Sequence, residues 1–248
     1  MRLRIKFRKY GPIRFIGHLD VMRFFQKAIR RAGIDVAYTR GFSPHQIMAF
    51  AAPLGVGLLS NGEYMDIEVG SIVSCQDTME RLNRASTPGI EVTSVKVLPD
   101  TAGNAMASVA AAAYTVRFRE GREPQTDIAA VLPDFLAKEQ ILVTKEAKKG
   151  SRELDLKPGI FQLAYEKNDR NGTFHMLLDA SSGGNIKPVQ VVEALLAEQG
   201  EALQENALLI VREDVYTDIQ DTSGKKEAPT AEAQKRALVP LDDIGYII

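Results

Sequence analysis

The sequence predicts two tandem ferredoxin-like domains of the α+β class, each a βαββαβ unit with helices on one face of an antiparallel sheet. Three observations carry this prediction. Apolar spacing in the first hundred residues switches from a period of two to a helical period and back. The same order of periods returns after residue 113. Between the two lies Thr101–Ala112, a run of small residues without period that reads as a linker. The expected layout is therefore a domain over 1–100, a linker over 101–112 and a second domain over 113–217. A mostly disordered, charged tail follows over 218–248, with an apolar end, Leu238–Ile248, suited to docking.

The elements follow in order. Leu3-Arg-Ile-Lys-Phe7 alternates apolar and basic residues, as a half-buried strand does. From Gly17 to Ala32, residues Val21, Met22, Phe24, Phe25, Ala28, Ile29 and Ala32 share one side of a helical wheel, and Gly33 stops the helix. Strands are expected at Gln46–Ala51 and Glu63–Val69, a short helix at Gln76–Ala85 and a strand at Ile90–Leu98. In the second half, Tyr114–Arg119 reads as a strand and Asp127–Lys138 as a helix with Ile128, Val131, Leu132 and Phe135 inward. Leu142–Lys148, Ile160–Glu166 and Thr173–Asp179 are strand-like. Pro188–Gln199 is helical, with Val191, Val192, Leu195 and Leu196 on its apolar side, and Ala207–Arg212 closes the unit.

Charge is unevenly spread. The formal net charge is -1 from 31 Lys+Arg and 32 Asp+Glu, yet residues 1–50 hold eleven Lys/Arg and two Asp/Glu. So basic an N-terminal fifth points to a polyanionic or acidic partner. A single cysteine, Cys75, excludes a disulfide framework and any Cys-rich zinc or iron–sulfur site. The absence of a long apolar run and the alternating N-terminus, MRLRIKFRKY, lead us to expect a cytoplasmic protein without a membrane partner.

Two basic surfaces emerge. If Leu3, Ile5 and Phe7 face the helices, Arg4, Lys6 and Arg8 face the open side of the sheet, as in nucleic-acid-binding sheets. Asp66 and Glu68 on the neighbouring strand are placed to pair with those cations, and only Tyr64 offers a stacking ring. A self-neutralised face and an RNA platform both remain open. On the helix, Asp20, Arg23, Lys27, Arg30 and Arg31 lie opposite the apolar side. Asp20 sits in the first turn and pairs with Arg23, leaving Lys27, Arg30 and Arg31 without an acidic partner in the helix.

The most specific local feature is the turn Gly41-Phe-Ser-Pro-His45, preceded by Arg40. Gly41 permits an unusual backbone angle and Pro44 fixes the turn, while Phe42, Ser43 and His45 offer an aromatic face and two polar groups. His18 lies at the edge of the apolar side of the helix, toward Met22 and Phe25, where a boundary histidine is the plain reading. Met beside His45, it would form a pair suited to general acid/base work on an RNA phosphodiester. Two histidines and Asp20 are too sparse for a metal, so no metal or cofactor is expected. Pro53-Leu-Gly-Val-Gly-Leu-Leu-Ser-Asn-Gly62 lacks the ending of a P-loop. In the second domain Lys145, Lys148, Lys149 and Arg152 cluster around Gly150-Ser151, as a solvated hairpin tip or a second phosphate contact.

Gly17-His-Leu-Asp20 with Arg23 and Arg30-Arg31, Gly41-Phe-Ser-Pro-His45, Pro53-Leu54, Gly57 and Glu63 together resemble a bacterial family of radical-SAM-linked proteins of unknown function. The later Arg152-Glu-Leu-Asp-Leu-Lys-Pro158 resembles it too. The resemblance implies association with B12-binding radical SAM proteins, to which such domains are fused or encoded nearby, and an RNA-related context. The chain has no Cys-x3-Cys-x2-Cys, so radical chemistry would come from a partner. The layout is also similar to that of CRISPR-repeat-processing endoribonucleases, a likeness of fold that carries no catalysis. The leading expectation is an RNA-binding accessory domain with little or no catalysis of its own, contacting RNA through Arg23, Lys27, Arg30, Arg31, Arg40, Phe42 and Ser43, with Asp20, Gly41 and Pro44 in support. The alternatives are a metal-independent endoribonuclease with His18 and His45 as catalytic residues, and a protein-interaction module that docks an acidic partner.

Overall fold

The computed structural model describes residues 1–147, 150–167, 172–219 and 237–248. The basic cluster expected at Lys145, Lys148, Lys149 and Arg152 and the polar stretch 220–236 lie outside the residues whose side chains are described. The chain is an α/β protein that divides into two compact units, Met1–Ala110 with Asp214–Ile248, and Ala111–Glu213.

The first unit runs β1 (Arg2–Lys9), α1 (His18–Arg31), β2 (Met48–Phe50), β3 (Leu59–Glu68), α2 (Cys75–Arg84) and β4 (Ile90–Leu98). β1 lies between β4 and β3, and β2 pairs with the outer part of β3, all antiparallel. The period of two in β1 has its expected consequence: Leu3, Ile5 and Phe7 are buried with Met65, Ile67, Val95 and Val97. Onto this surface α1 places Val21, Phe25, Ala28 and Ile29, and α2 places Leu82. Phe7 and Phe25 meet edge-on at 4.6 Å, a favoured aromatic geometry. Ser74 caps α2 by accepting from the Asp77 N–H at 3.0 Å.

The second unit runs β5 (Ala111–Phe118), α3 (Ile128–Ala137), β6 (Leu142–Ala147), β7 (Gly150–Asp155), β8 (Ile160–Glu166), β9 (Thr173–Asp179), α4 (Pro188–Ala197) and β10 (Leu208–Asp218). β5 lies between β10 and β9, with β8 outside β9, while β6 and β7 form a separate hairpin. Phe135, Phe174, Leu178, Val192 and Leu195 are buried. The division places β10 up to Glu213 in this unit and from Asp214 in the first. β5 begins at Ala111, inside the expected linker, and Ala105 is fully buried. Alanine runs carry no periodicity, so sequence patterning could not separate packed from solvated residues there.

The final segment corrects the expected open sheet face. Leu238–Pro240, β11, pairs with the end of β10, a 3-10 turn follows at Leu241–Ile244, and Tyr246 bridges to Val97 at the edge strand. The Ile248 carbonyl accepts the Cys75 N–H at 3.0 Å. Leu241 is fully buried, and Arg4, which the sequence placed on an open platform, is also fully buried. Arg4 forks onto Asp66 through Nε and Nη2 at 2.7 and 2.8 Å and donates Nη1 to the Leu241 carbonyl at 3.0 Å. Lys6 pairs with Asp214 at 2.7 Å, and the Tyr64 hydroxyl donates to Asp214 and Asp242 at 2.6 and 3.0 Å. Burial first, and then those two carboxylates, hold the Tyr64 pKa far above the usual phenol range, so it remains a neutral donor. Glu68 is exposed, and Arg2 across from it donates instead to backbone carbonyls, the shortest bond being to Ala102 at 2.7 Å. This face is a covered, internally paired surface, not an RNA platform.

Candidate nucleic-acid interface

The outer face of α1 carries the exposed side chains of Asp20, Arg23, Lys27, Arg30 and Arg31. Arg23 pairs with Asp20 at 3.4 Å, both side chains more than half exposed, so the pair adds little stability but does neutralise Arg23. Arg31 is otherwise engaged than expected. Its Nη2 donates to the Ala85 carbonyl at the end of α2, at 2.7 Å. Arg81 of α2 returns the contact, donating Nε to Ala32 and Nη2 to Gly33 at the end of α1, at 2.9 and 2.5 Å, with Asp77 at 3.2 Å from Nη1. Each helix C-terminus, with its unsatisfied carbonyls, is thus capped by an arginine of the other. Between them lies a groove of about 600 Å³ lined by Arg31, Ala32, Arg81, Arg84, Ala85 and Ser86.

Gly33 makes this clasp possible. Its φ of +61° belongs to the left-handed region, and a Cβ there would stand 3.1 Å from Arg81 Nη2. Gly33→Ala is expected to cost about 1–2 kcal/mol, from the left-handed penalty and the displaced guanidinium. Urea unfolding measures it, and an unchanged midpoint would show that the clasp carries no stability.

The Gly41–His45 turn is the tip of a short hairpin. The Thr39 N–H donates to the His45 carbonyl and the Ile47 N–H to the Ala37 carbonyl, both at 2.9 Å, with a bridge between Tyr38 and Gln46. Gln46 is buried and its Nε2 donates to the Gln26 carbonyl at 3.2 Å, tying the base of the hairpin to the middle of α1. Gly41 sits at φ +120°. Arg40, Phe42, Ser43 and Pro44 are exposed, the Phe42 ring fully so at 112% of its reference area.

The two histidines have different surroundings. His18 opens α1 half-buried and lies edge-on to Phe50, ring centroids 5.0 Å apart. Exposed His45 turns its Nδ1 to the Thr39 hydroxyl at 3.1 Å and the Ser43 carbonyl at 3.4 Å. No hydrogen bond joins them, and the phenyl ring against His18 gives it no acid/base partner. Among the described residues no group of three or more His, Cys, Asp or Glu is placed to hold a metal, and no helix is long and apolar enough to cross a membrane.

Within the first hundred residues ten of the fourteen Lys and Arg side chains are engaged. Arg2, Lys9, Arg31 and Arg81 serve carbonyls, Arg4, Lys6, Arg8, Arg23 and Lys96 face carboxylates, and Arg14 lies over Phe15. Lys27, Arg30, Arg40 and Arg84 have no partner among the described residues. Arg84 was missed by sequence reasoning, although basic residues three apart in the last turn of α2, Arg81 and Arg84, were a visible signal.

Fold and site together define an α/β protein with a basic helical surface and an aromatic-tipped hairpin tied to that helix at its base. The chain belongs to a family described as uncharacterised proteins conserved in bacteria, DUF2344, whose model matches residues 2–188. No curated protein matches it. Among solved structures it is similar to a chain in a crystal structure of a Cbf5–Nop10–Gar1 complex, with 10% identity, 86% of this chain and 48% of that one covered, and a TM-score of 0.50. That likeness is one of fold, and this chain spans about half the length of that one. A structure of an unknown protein from Galdieria sulphuraria matches with 13% identity over 84% of this chain and 95% of that one, but its TM-score of 0.24 carries no argument.

Proposed function

We propose that this protein is a cytoplasmic RNA-binding accessory module without catalysis of its own, built of two ferredoxin-like units, that presents RNA to a radical SAM partner. The observation that carries the RNA reading is the set of exposed cations without partners among the described residues, Lys27, Arg30, Arg40 and Arg84, within the first hundred residues, where the other cations are engaged. A phosphate backbone is the ligand that rewards such a set, because each neutralised phosphate releases condensed counterions. The strand order β4-β1-β3-β2 with two helices supports the ferredoxin-like reading of the first unit. The separate environments of His18 and His45 support binding over cleavage. The radical SAM partner rests on the sequence resemblance alone.

Binding of a single-stranded RNA across a salt series tests the reading. The affinity of the wild type is expected to fall steeply with salt, and Lys27→Gln/Arg30→Gln to flatten the log–log slope by about 1.4, near 0.7 per phosphate contact. RNA binding that is absent, or insensitive to salt and to this double substitution, sinks the proposal. Capture of an acidic protein by the same face, without RNA binding, selects the protein-interaction module instead.

A further inference from the structure

The groove between the ends of α1 and α2 differs from an ordinary solvated basic face. We infer that it is a phosphate-binding subsite that seats the backbone phosphates of an RNA strand running along α1, an inference that rests on the RNA-binding reading above.

Three features support it. First, none of the six lining residues is acidic. Asp77, the carboxylate that touches one of the three arginines, is held by Arg81. Second, helix C-termini ordinarily repel anions because their carbonyls carry partial negative charge, but here those carbonyls are covered. Arg81 donates to Ala32 and Gly33, and Arg31 donates to Ala85. Third, these bonds divide the labour among the guanidinium groups. Arg81 is committed at Nε, Nη1 and Nη2 and supplies fixed positive charge. Arg31 is anchored through Nη2 alone, which leaves its Nε and Nη1 N–H groups for a ligand. Arg84 has no partner among the described residues and keeps its whole donor fork.

A pre-anchored guanidinium loses less rotamer freedom on binding than a free one, and its planar fork matches two phosphate oxygens at once where an ammonium offers only a point charge. An oxyanion between Arg31 and Arg84 would be met by donors from two helices. Arg30, in the same last turn of α1, is exposed and adds positive charge near this end of the helix. The ligand class is therefore a phosphodiester strand and not a compact metabolite: the site is an open groove with arginine donors for phosphate, and its lining holds no aromatic or large apolar side chain to enclose a base.

The test uses the full chain, oligouridylate as the RNA probe and inorganic tripolyphosphate as a probe without bases. Arg84→Gln breaks no bond among the described residues, so its melting curve should match the wild type. It is expected to weaken oligouridylate binding about fivefold and to flatten the salt slope by about 0.7. In 15N spectra, tripolyphosphate should shift the Nε–H signals of Arg31 and Arg84 and leave that of Arg23 in place. Arg84→Gln binding RNA like the wild type while Lys27→Gln/Arg30→Gln weakens it would overturn the groove and keep the RNA reading. Arg31 and Arg84 shifting with tripolyphosphate while oligouridylate fails to bind would keep the phosphate site and overturn the RNA reading. Silence of both signals also overturns the groove.

Discussion

Asp66→Asn is expected to destabilise the first unit by about 3–5 kcal/mol, the cost of stranding a buried charge. Arg4 is fully buried and Asp66 nearly so, at 0% and 9% side-chain exposure, and the two share a two-point contact across adjacent strands. Asparagine keeps the shape but turns an N–H2 group toward the guanidinium and removes its counter-charge. The Leu241 carbonyl, the remaining acceptor of Arg4, cannot replace it. Exchanging both partners for apolar residues, Arg4→Met with Asp66→Leu, should recover most of the loss, because a buried pair roughly breaks even with its apolar replacement. It leaves the Leu241 carbonyl without a donor, at about 1–3 kcal/mol. Urea unfolding of the single and double variants checks both statements. A single-variant loss below about 1 kcal/mol would mean that the pair is hydrated and that the final segment does not seal the face.

The same pair shows where sequence reading stops. Period-two and period-3.6 patterns are local, and they placed β4, β8 and β9 at their observed bounds and α1 within a residue. They put Arg4, Lys6 and Arg8 on one sheet face with Asp66 and Glu68, and the register then sets Arg4 against Asp66. What covers that face arrives from Leu241, Asp242 and Tyr246, far along the chain, and no periodicity links them to β1. At the candidate site the outcome divides in the same way. The exposure of Lys27, Arg30, Arg40 and Phe42 follows from the helical wheel and the turn chemistry. The engagement of Arg31 does not, because its partner is a carbonyl at the end of another helix. Wheel position says which way a side chain leaves its own helix, and the neighbour decides which of its donors stay available. The setting of His18 is equally non-local: it depends on Phe50, which the pairing of β2 with β3 brings against α1.

Phe42→Ala is expected to weaken single-stranded RNA binding by about 1–3 kcal/mol, roughly 5- to 150-fold, with no loss of stability. A phenyl ring with its whole surface in water makes no packing contribution to lose, so the melting temperature should be unchanged. The turn is nonetheless held in place by the Thr39–His45 bonds, and its base is tied to α1 through Gln46, so the ring is presented from a fixed hairpin. Such a ring is a platform for a base, and a base stacks on it without sequence preference because every base has a π-face. The signature differs from that of the cations. Phe42→Ala changes no charge, so the salt slope should stay that of the wild type while the affinity falls at every salt concentration. Phe42→Leu separates stacking from a merely apolar contact. If leucine restores binding, the tip is a hydrophobic anchor of the kind that seats in a protein pocket, and if only Phe42→Tyr restores it, the ring is stacking on a base.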